Sequence, residues 1–337
     1  MVGYKDVLRM ASNGARMHHP HRIDTHHHIL PPFYVEKERQ RILAVAADFG
    51  PRLMAWEPSK AVDALDRGGV AAAITSMSAP GIWFGDRDAT KRLARECNDF
   101  GADMSGRYRG RFGLFATLPL PDIDGSLQEI EYAFDVLKAD GIGLMTNYGD
   151  QYPGDATFAP VFDELERRRA VVYFHPTTTD CCTRHGIDIP EAIMEYPFDT
   201  TRAIVSLLFS GTLSRCPNVR FIFSHAGGTL PMLAHRIARW AAIDKNIESR
   251  LPHGAMAELQ KLFYDVVSAT NPITLAAIRE LAGISQLLFG SDYPYWDPSM
   301  TAEGLGKLGL SPDDLHAIER GNALRLFPRL ESSDSKI

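Results

Sequence analysis

The run "IDTHHHILPP", Ile23 to Pro32, sets three consecutive imidazoles inside an apolar segment. On a β-strand successive side chains face opposite sides, so His26 and His28 share a face while His27 takes the other. Two imidazoles on one face make half a metal site. His18, His19 and His21 lie just upstream and read as part of a solvated tail or a tag remnant, whereas His26 to His28 lead into Ile29, Leu30 and Pro31 and are committed to a folded core.

Further along, His175 closes "VVYFH", His225 stands in "FSHAGG" and Asp292 in "GSDYP". Singly, each has an ordinary role: a core hydrogen bond for His175, a turn for His225, a loop cap for Asp292. Those roles leave unexplained why all three fall at the end of an apolar run. Three neutral imidazoles and one carboxylate suit a divalent ion of borderline hardness, with Zn²⁺ leading and Mn²⁺ the alternative. The assignment is His26, His28, His175 and Asp292 to the metal, with His225 beside it as an acid/base group; His225 as a ligand stays open. Four cysteines, Cys97, Cys181, Cys182 and Cys216, have no C-x-x-C spacing, which disfavours a thiolate site. The Cys181–Cys182 pair after "FHPTTTD" reads as small residues on a loop.

These side chains need elements to carry them. Eight short runs rich in β-branched and apolar residues recur, at 22–30, 70–77, 111–118, 141–146, 170–175, 219–225, 262–268 and 286–292. Between them lie amphipathic stretches: Lys60–Arg67, Ala89–Arg107, Ser126–Ala139, Phe158–Arg169, Glu191–Ser214, Leu230–Ile243 and Pro272–Ala282, with Asp124 and Asp199 as helix caps. Alternation of this kind implies parallel pairing, since each crossover returns the chain to the same end of the sheet. Eight units predict an α/β fold closed into a (β/α)8 TIM barrel; an open doubly wound sheet is the alternative, weakened because no G-x-G-x-x-G follows the first run. Barrel active sites collect at the carboxyl ends of the strands, which would bring all five side chains to one rim. The expected layout is an N-terminal extension over 1–21, one catalytic barrel over 22–328 with a lid insertion at 31–58, and a polar, frayed tail over 329–337.

Composition narrows the partners. With 45% hydrophobic and 23% charged residues among 337, the chain has the make-up of an ordinary soluble globular protein. A net charge of -6 offers no basic footprint for nucleic acid, and no apolar run approaches the roughly 20 residues of a membrane span. The opening residues lack a long apolar segment, so the expected compartment is the cytoplasm.

"IDTHHHILP", "FHP", "FSHAGGTLP" and "FGSDYP", in that order from Arg22 to Phe327, resemble the amidohydrolase superfamily and, within it, the decarboxylase-like branch of aminocarboxymuconate semialdehyde, γ-resorcylate and 6-methylsalicylate decarboxylases. The pattern looks closest to the 6-methylsalicylate type. The resemblance implies a distorted barrel of the metal-dependent hydrolase type with one divalent metal. It implies His26 and His28 as the D-x-H-x-H ligands, His175 as the third ligand, His225 as the catalytic histidine and Asp292 as the final ligand. No lysine ends the fourth run, "GIGLMTNYGD", so a mononuclear site is the simpler expectation.

The branch further suggests a homodimer or dimer of dimers in which an arginine after the "SHAGG" loop, Arg236 or Arg239, reaches the neighbouring site's carboxylate. Trp83 and Phe84 of "SAPGIWFGD" are placed to line an aromatic pocket, and Phe198 and Arg202 of "EYPFDTTRA" are further substrate-contact candidates. The implied activity is non-oxidative decarboxylation of a small aromatic, salicylate-like or unsaturated carboxylic acid, with Asp292 or His225 supplying the proton. Metal-dependent hydrolysis of a lactone or an amide is the alternative.

Overall fold

A computed structural model of the chain describes residues 20–179 and 189–335. Its centre is an eight-stranded sheet in the order β1 to β8, every adjacent pair parallel. The strands are β1 (Arg22–His28), β2 (Val70–Ser76), β3 (Phe112–Thr117), β4 (Gly141–Met145), β5 (Val171–His175), β6 (Arg220–Phe223), β7 (Phe263–Asp265) and β8 (Leu287–Leu288). Three backbone bonds bring the chain after β8 back to β1: Thr25 N–H to Phe289 O at 2.9 Å, Asp292 N–H to His26 O at 2.7 Å and His28 N–H to Tyr293 O at 2.8 Å. With them the ring closes as a barrel.

Helices coat the outside. The principal ones are α1 (Pro32–Ala46), α2 (Pro58–Arg67), α3 (Arg87–Arg107), α4 (Ile123–Glu131), α5 (Ala159–Arg167), α6 (Glu191–Phe209), α7 (Leu230–Ile243) and α8 (Pro272–Ala282). Strands covered on both faces have no use for polar alternation, and β2 to β5 are buried along their whole length. One apolar cluster fills the layer between strands and helices; a second, including Ile74, Phe115, Tyr173, Ile222 and Leu288, fills the barrel interior.

That interior fill sets the height of the polar rim. His175 stands two residues beyond Tyr173 and Asp265 two beyond Phe263, so each points inward one layer above an apolar side chain. β1 reaches the same layer by an irregularity. Ile23 pairs with Ala72 and His28 with Ser76, so β1 spends one residue more than β2 over that span. The extra residue is a bulge between Asp24 and His27, and it turns the parity of the strand, letting Ile23 fill the interior below while His26 and His28 face inward above.

Several sequence expectations shift. The cap of α4 is Asp122, whose carboxylate accepts from Gly125 N–H at 3.2 Å, and Asp124 lies in the first turn. Asp199 caps nothing: α6 begins at Glu191, runs through Pro197, and carries Asp199 buried in its middle. The Ser126–Ala139 stretch leaves α-helical geometry at Tyr132, and Glu191–Ser214 is broken at Gly211, whose φ of +79° suits a residue without Cβ. The seventh and eighth strands are three and two residues long, because the chain turns into loops as soon as it has supplied the rim. His21 is no tail residue: its Nε2 lies 2.8 Å from Glu319, which also takes Arg22 Nε at 2.7 Å. Leu330, assigned to the tail, is buried beside the interior cluster, and Arg329 pairs with Asp140. His18, His19, Cys181 and Cys182 lie outside the described residues.

Candidate active site

Four of the side chains singled out above, His26, His175, His225 and Asp292, each offer one ligand atom within 4.8 Å of all the others. His28 joins them: its Nε2 lies 3.1 Å from His26 Nε2 and 3.1 Å from Asp292 Oδ1. Asp292 is the hub. Its Oδ1 also lies 3.2 Å from His26 Nε2, while its Oδ2 faces His225 Nε2 at 3.3 Å. Asp292 and His225 share a backbone feature, for His225 has φ +53° and Asp292 φ +62°, a left-handed conformation that non-glycine residues adopt only where surroundings enforce it.

The backs of the rings differ. His26 Nδ1 lies 2.8 Å from Asp265 Oδ2, His28 Nδ1 3.1 Å from Ser76 Oγ, and His175 Nδ1 donates to Pro176 O at 2.9 Å. A partner on Nδ1 fixes ring orientation and leaves Nε2 for a cation, as supporting contacts do around metal-bound imidazoles. Among the described residues His225 has no such brace, its Nδ1 being buried without a hydrogen-bond partner. Its backbone N–H instead donates to Asp265 Oδ1 at 3.0 Å. Asp265 thus ties His26 to the His225 loop. The sequence left it unmarked except as a lone carboxylate inside the apolar 262–268 run.

Charge is concentrated here in buried side chains. Burial opposes a proton on His26, but Asp265 and Asp292 outweigh it and lift this imidazole to about 10. Burial carries His28 down to about 4 against the pull of Asp292, and His175 well below its ordinary range. Asp292 is held well below the usual carboxylate range, since His26 and the hydrogen bonds from the histidines overcome its own burial. A positive charge is therefore favoured between Asp265 and Asp292, while His28 and His175 stay neutral with open lone pairs. Buried neutral imidazoles around one anionic carboxylate form the donor set expected of a divalent ion.

Below the rim, Asp24 clamps β1 to the β8 loop. It accepts from His26 N–H and Ser291 N–H at 3.0 Å each, from Ser291 Oγ at 2.5 Å, and lies 3.0 Å from His27 Nδ1. His27 stacks on Tyr293, ring centres 4.8 Å apart, on the side away from the cluster. Gly290 is small by necessity, because a Cβ there would meet His26 Cβ at 2.9 Å and Asp265 Cβ at 3.0 Å.

A cavity of about 450 Å³ adjoins this site, lined among others by Ile82, Trp83, Phe84, Met145, Asn147 and Thr177. Met145 is the ladder partner of His175, so cavity and cluster share a wall. Arg41 of α1 stacks over Phe84, its guanidinium 4.4 Å from the ring centre. Phe198 and Arg202 do not line the cavity: both are exposed on α6, Arg202 Nη1 lying 3.8 Å from Asp199. Tyr196, two residues before Phe198, packs towards His175 at 6.4 Å between ring centres. Arg236 and Arg239 line a separate surface pocket with Trp240 and Ile243. No lysine follows β4; Thr146 and Asn147 stand there and both donate to Asp199.

Comparison with known proteins bears on this geometry. The profile of the Amidohydrolase family matches residues 23–329. Decarboxylase yanB of Aspergillus niger is 36% identical over 331 residues, covering 92% of this chain and 88% of that one. The 6-methylsalicylic acid decarboxylase of Penicillium expansum is 35% identical over 92% of this chain and 97% of its own. Among solved structures, a dihydroxybenzoic acid decarboxylase from Polaromonas, with bound manganese and the inhibitor 2-nitroresorcinol, superimposes with a TM-score of 0.76 at 20% identity, covering 94% of this chain and 99% of that one.

Proposed function

The chain belongs to the amidohydrolase family, and from that premise we propose that it is a metal-dependent decarboxylase removing CO₂ from a small aromatic, salicylate-like acid. The observation that carries the reading is Asp292, one carboxylate shared between inward-facing imidazoles on Oδ1 and the unbraced His225 on Oδ2. We assign His26, His28, His175 and Asp292 as the ligands of one cation, Zn²⁺ first and Mn²⁺ second. The bound manganese of the Polaromonas neighbour supports a divalent ion in this fold. When bound, such a cation neutralises the substrate carboxylate and an ortho oxygen and fixes the ring at the rim.

The rest of the chemistry falls to side chains. Decarboxylation needs a proton on the ring carbon that bears the carboxylate; the C–C bond then breaks, CO₂ leaves, and the bonding pair restores the aromatic ring. Asp292 Oδ2 and His225 Nε2 are 3.3 Å apart and hold that proton between them. Asp292 delivers it in one version; His225 does so in the other, and either leaves its partner to stabilise the charge that develops. His26, His28 and His175, braced through Nδ1, would hold the cation through their other ring nitrogen, which leaves the proton to Asp292 and His225.

Trp83 and Phe84 form the aromatic wall for the ring, and α1, within the 31–58 segment, forms a lid over it through Arg41. We further read Arg236 or Arg239 as reaching the neighbouring subunit's site carboxylate in a homodimer or dimer of dimers, and the cytoplasm as the compartment. Hydrolysis of a lactone or an amide is not favoured by relatives whose names are decarboxylases. The test is incubation of metal-loaded protein with salicylate, 6-methylsalicylate and dihydroxybenzoates, following CO₂. Release from at least one acid, lost on chelation and restored by Zn²⁺ or Mn²⁺, is expected; ring opening of lactones without CO₂ would overturn the reading.

A further inference from the structure

We propose that the cavity beside the cluster selects acids carrying a second ring hydroxyl, on the edge turned away from the carboxylate, and that the atom accepting its proton is Asn147 Oδ1. The inference rests on the decarboxylase reading for its substrate class and on hydrogen-bond arithmetic for its specificity.

Asn147 lines the cavity just beyond β4 and is buried. A primary amide has two N–H donors, and here both are spent: Nδ2 lies 3.1 Å from Thr177 O and 2.7 Å from Asp199 Oδ2. Flipping the amide would turn Oδ1 against two acceptors, so the orientation is fixed. Oδ1 is then left as an acceptor that takes no hydrogen bond from the described residues, yet it is not among the sealed, unpartnered atoms. Asp199, which sets the orientation, is itself held: Tyr152 OH donates to it at 2.6 Å, and the Thr146 hydroxyl donates as well.

The surroundings decide what Oδ1 prefers. Ile82, Trp83, Phe84 and Met145 give an apolar slot for a flat ring. A carboxylate turned towards a carbonyl oxygen would be repelled, so the substrate's acid group goes to the cluster and a donor goes to Asn147. A ring bearing hydrogen or methyl at that edge would leave Oδ1 desolvated and unpaired, the kind of loss on which hydroxyl discrimination rests.

The experiment uses the full chain loaded with Zn²⁺ or Mn²⁺. Stopped-flow quenching of tryptophan fluorescence gives the Kd, and CO₂ release gives kcat/KM, for salicylate, 6-methylsalicylate and the 2,3-, 2,4-, 2,5- and 2,6-dihydroxybenzoates. The 2,4- or the 2,5-isomer, whose second hydroxyl lies on the far edge, is expected to bind about tenfold more tightly than salicylate, and the 2,6-isomer is not. Asn147→Ala should reduce that ratio to within about twofold, with wild-type circular dichroism and metal content as the control for an intact fold. Asp199→Asn, which frees the amide to turn, should lower the ratio with Asn147 still present. If neither the 2,4- nor the 2,5-isomer outbinds salicylate, or if the preference survives Asn147→Ala, the proposal is overturned. Selective binding without CO₂ from any acid would uphold it and sink the decarboxylase reading instead, so the two failures are distinguishable.

Discussion

The cluster and the cavity share a wall but are built differently. In the cluster, His26 and His28 come from β1 and His175 from β5; each ring is fully or almost fully buried, and each is pinned behind by Asp265, Ser76 or Pro176. In the cavity, Trp83 and Phe84 come from the loop after β2 and Arg41 from α1; all three are partly exposed, held by stacking and by neighbouring apolar side chains. Strand ends fix what must not move, and loops supply the shape that can vary between substrates. The difference teaches where to expect rate effects and where to expect specificity effects.

It is broken most severely at the hub. Asp292→Asn removes the charge that both Oδ1 and Oδ2 contacts rely on, so kcat/KM should fall by at least about 10³-fold and retained metal should drop below one per chain, read by elemental analysis. Next comes a residue that touches no substrate. Asp265→Asn leaves all ligands in place but withdraws the anion behind His26, and metal affinity should weaken about 10- to 100-fold. A variant that kept wild-type metal affinity would mean the brace is only structural.

On the cavity side the signature reverses. Phe84→Ala should raise KM by up to about tenfold, leave kcat within about twofold and leave metal content unchanged, because it removes binding surface rather than transition-state contacts. Metal loss in that variant would show that wall and cluster are one unit.

The smallest expected effect lies at the other end of the barrel, where Glu319 receives His21 and Arg22. Burial would raise its pKa, but His21 and Arg22 pull it below the ordinary 4.5. A depressed carboxylate contributes stability that is present above pH 4.5 and lost as pH falls through its folded value. Wild type should therefore lose melting temperature on acidification below pH 4.5, whereas Glu319→Gln, less stable by ~1–2 kcal/mol at pH 7, should lack that part of the slope.

Much of this was legible in the sequence because strand-ending residues announce themselves: an apolar run filling a barrel interior must stop at the rim, and His175, His225 and Asp292 stand where it stops. That rule missed Asp265, which is followed by Val266 and Val267 inside the 262–268 run, and its role depends on His26, 239 positions away, which nothing local marks. The bulge in β1 was equally hidden, since parity of a strand is readable only against its neighbour's register. Asp199 misled because an Asp ahead of a helical stretch looks like a cap; here Pro197 is accommodated within α6, and the carboxylate turns to the loop after β4. Phe198 and Arg202, substrate-contact candidates in the sequence, are exposed on α6, while Tyr196 packs towards His175.

The most direct test is anomalous diffraction from crystals of the metal-loaded protein at the metal's absorption edge. A single peak bonded to Nε2 of His26, His28 and His175 and to Asp292, with His225 adjacent, is the predicted result. A peak elsewhere, or none in protein that releases CO₂ from its substrate, would contradict it.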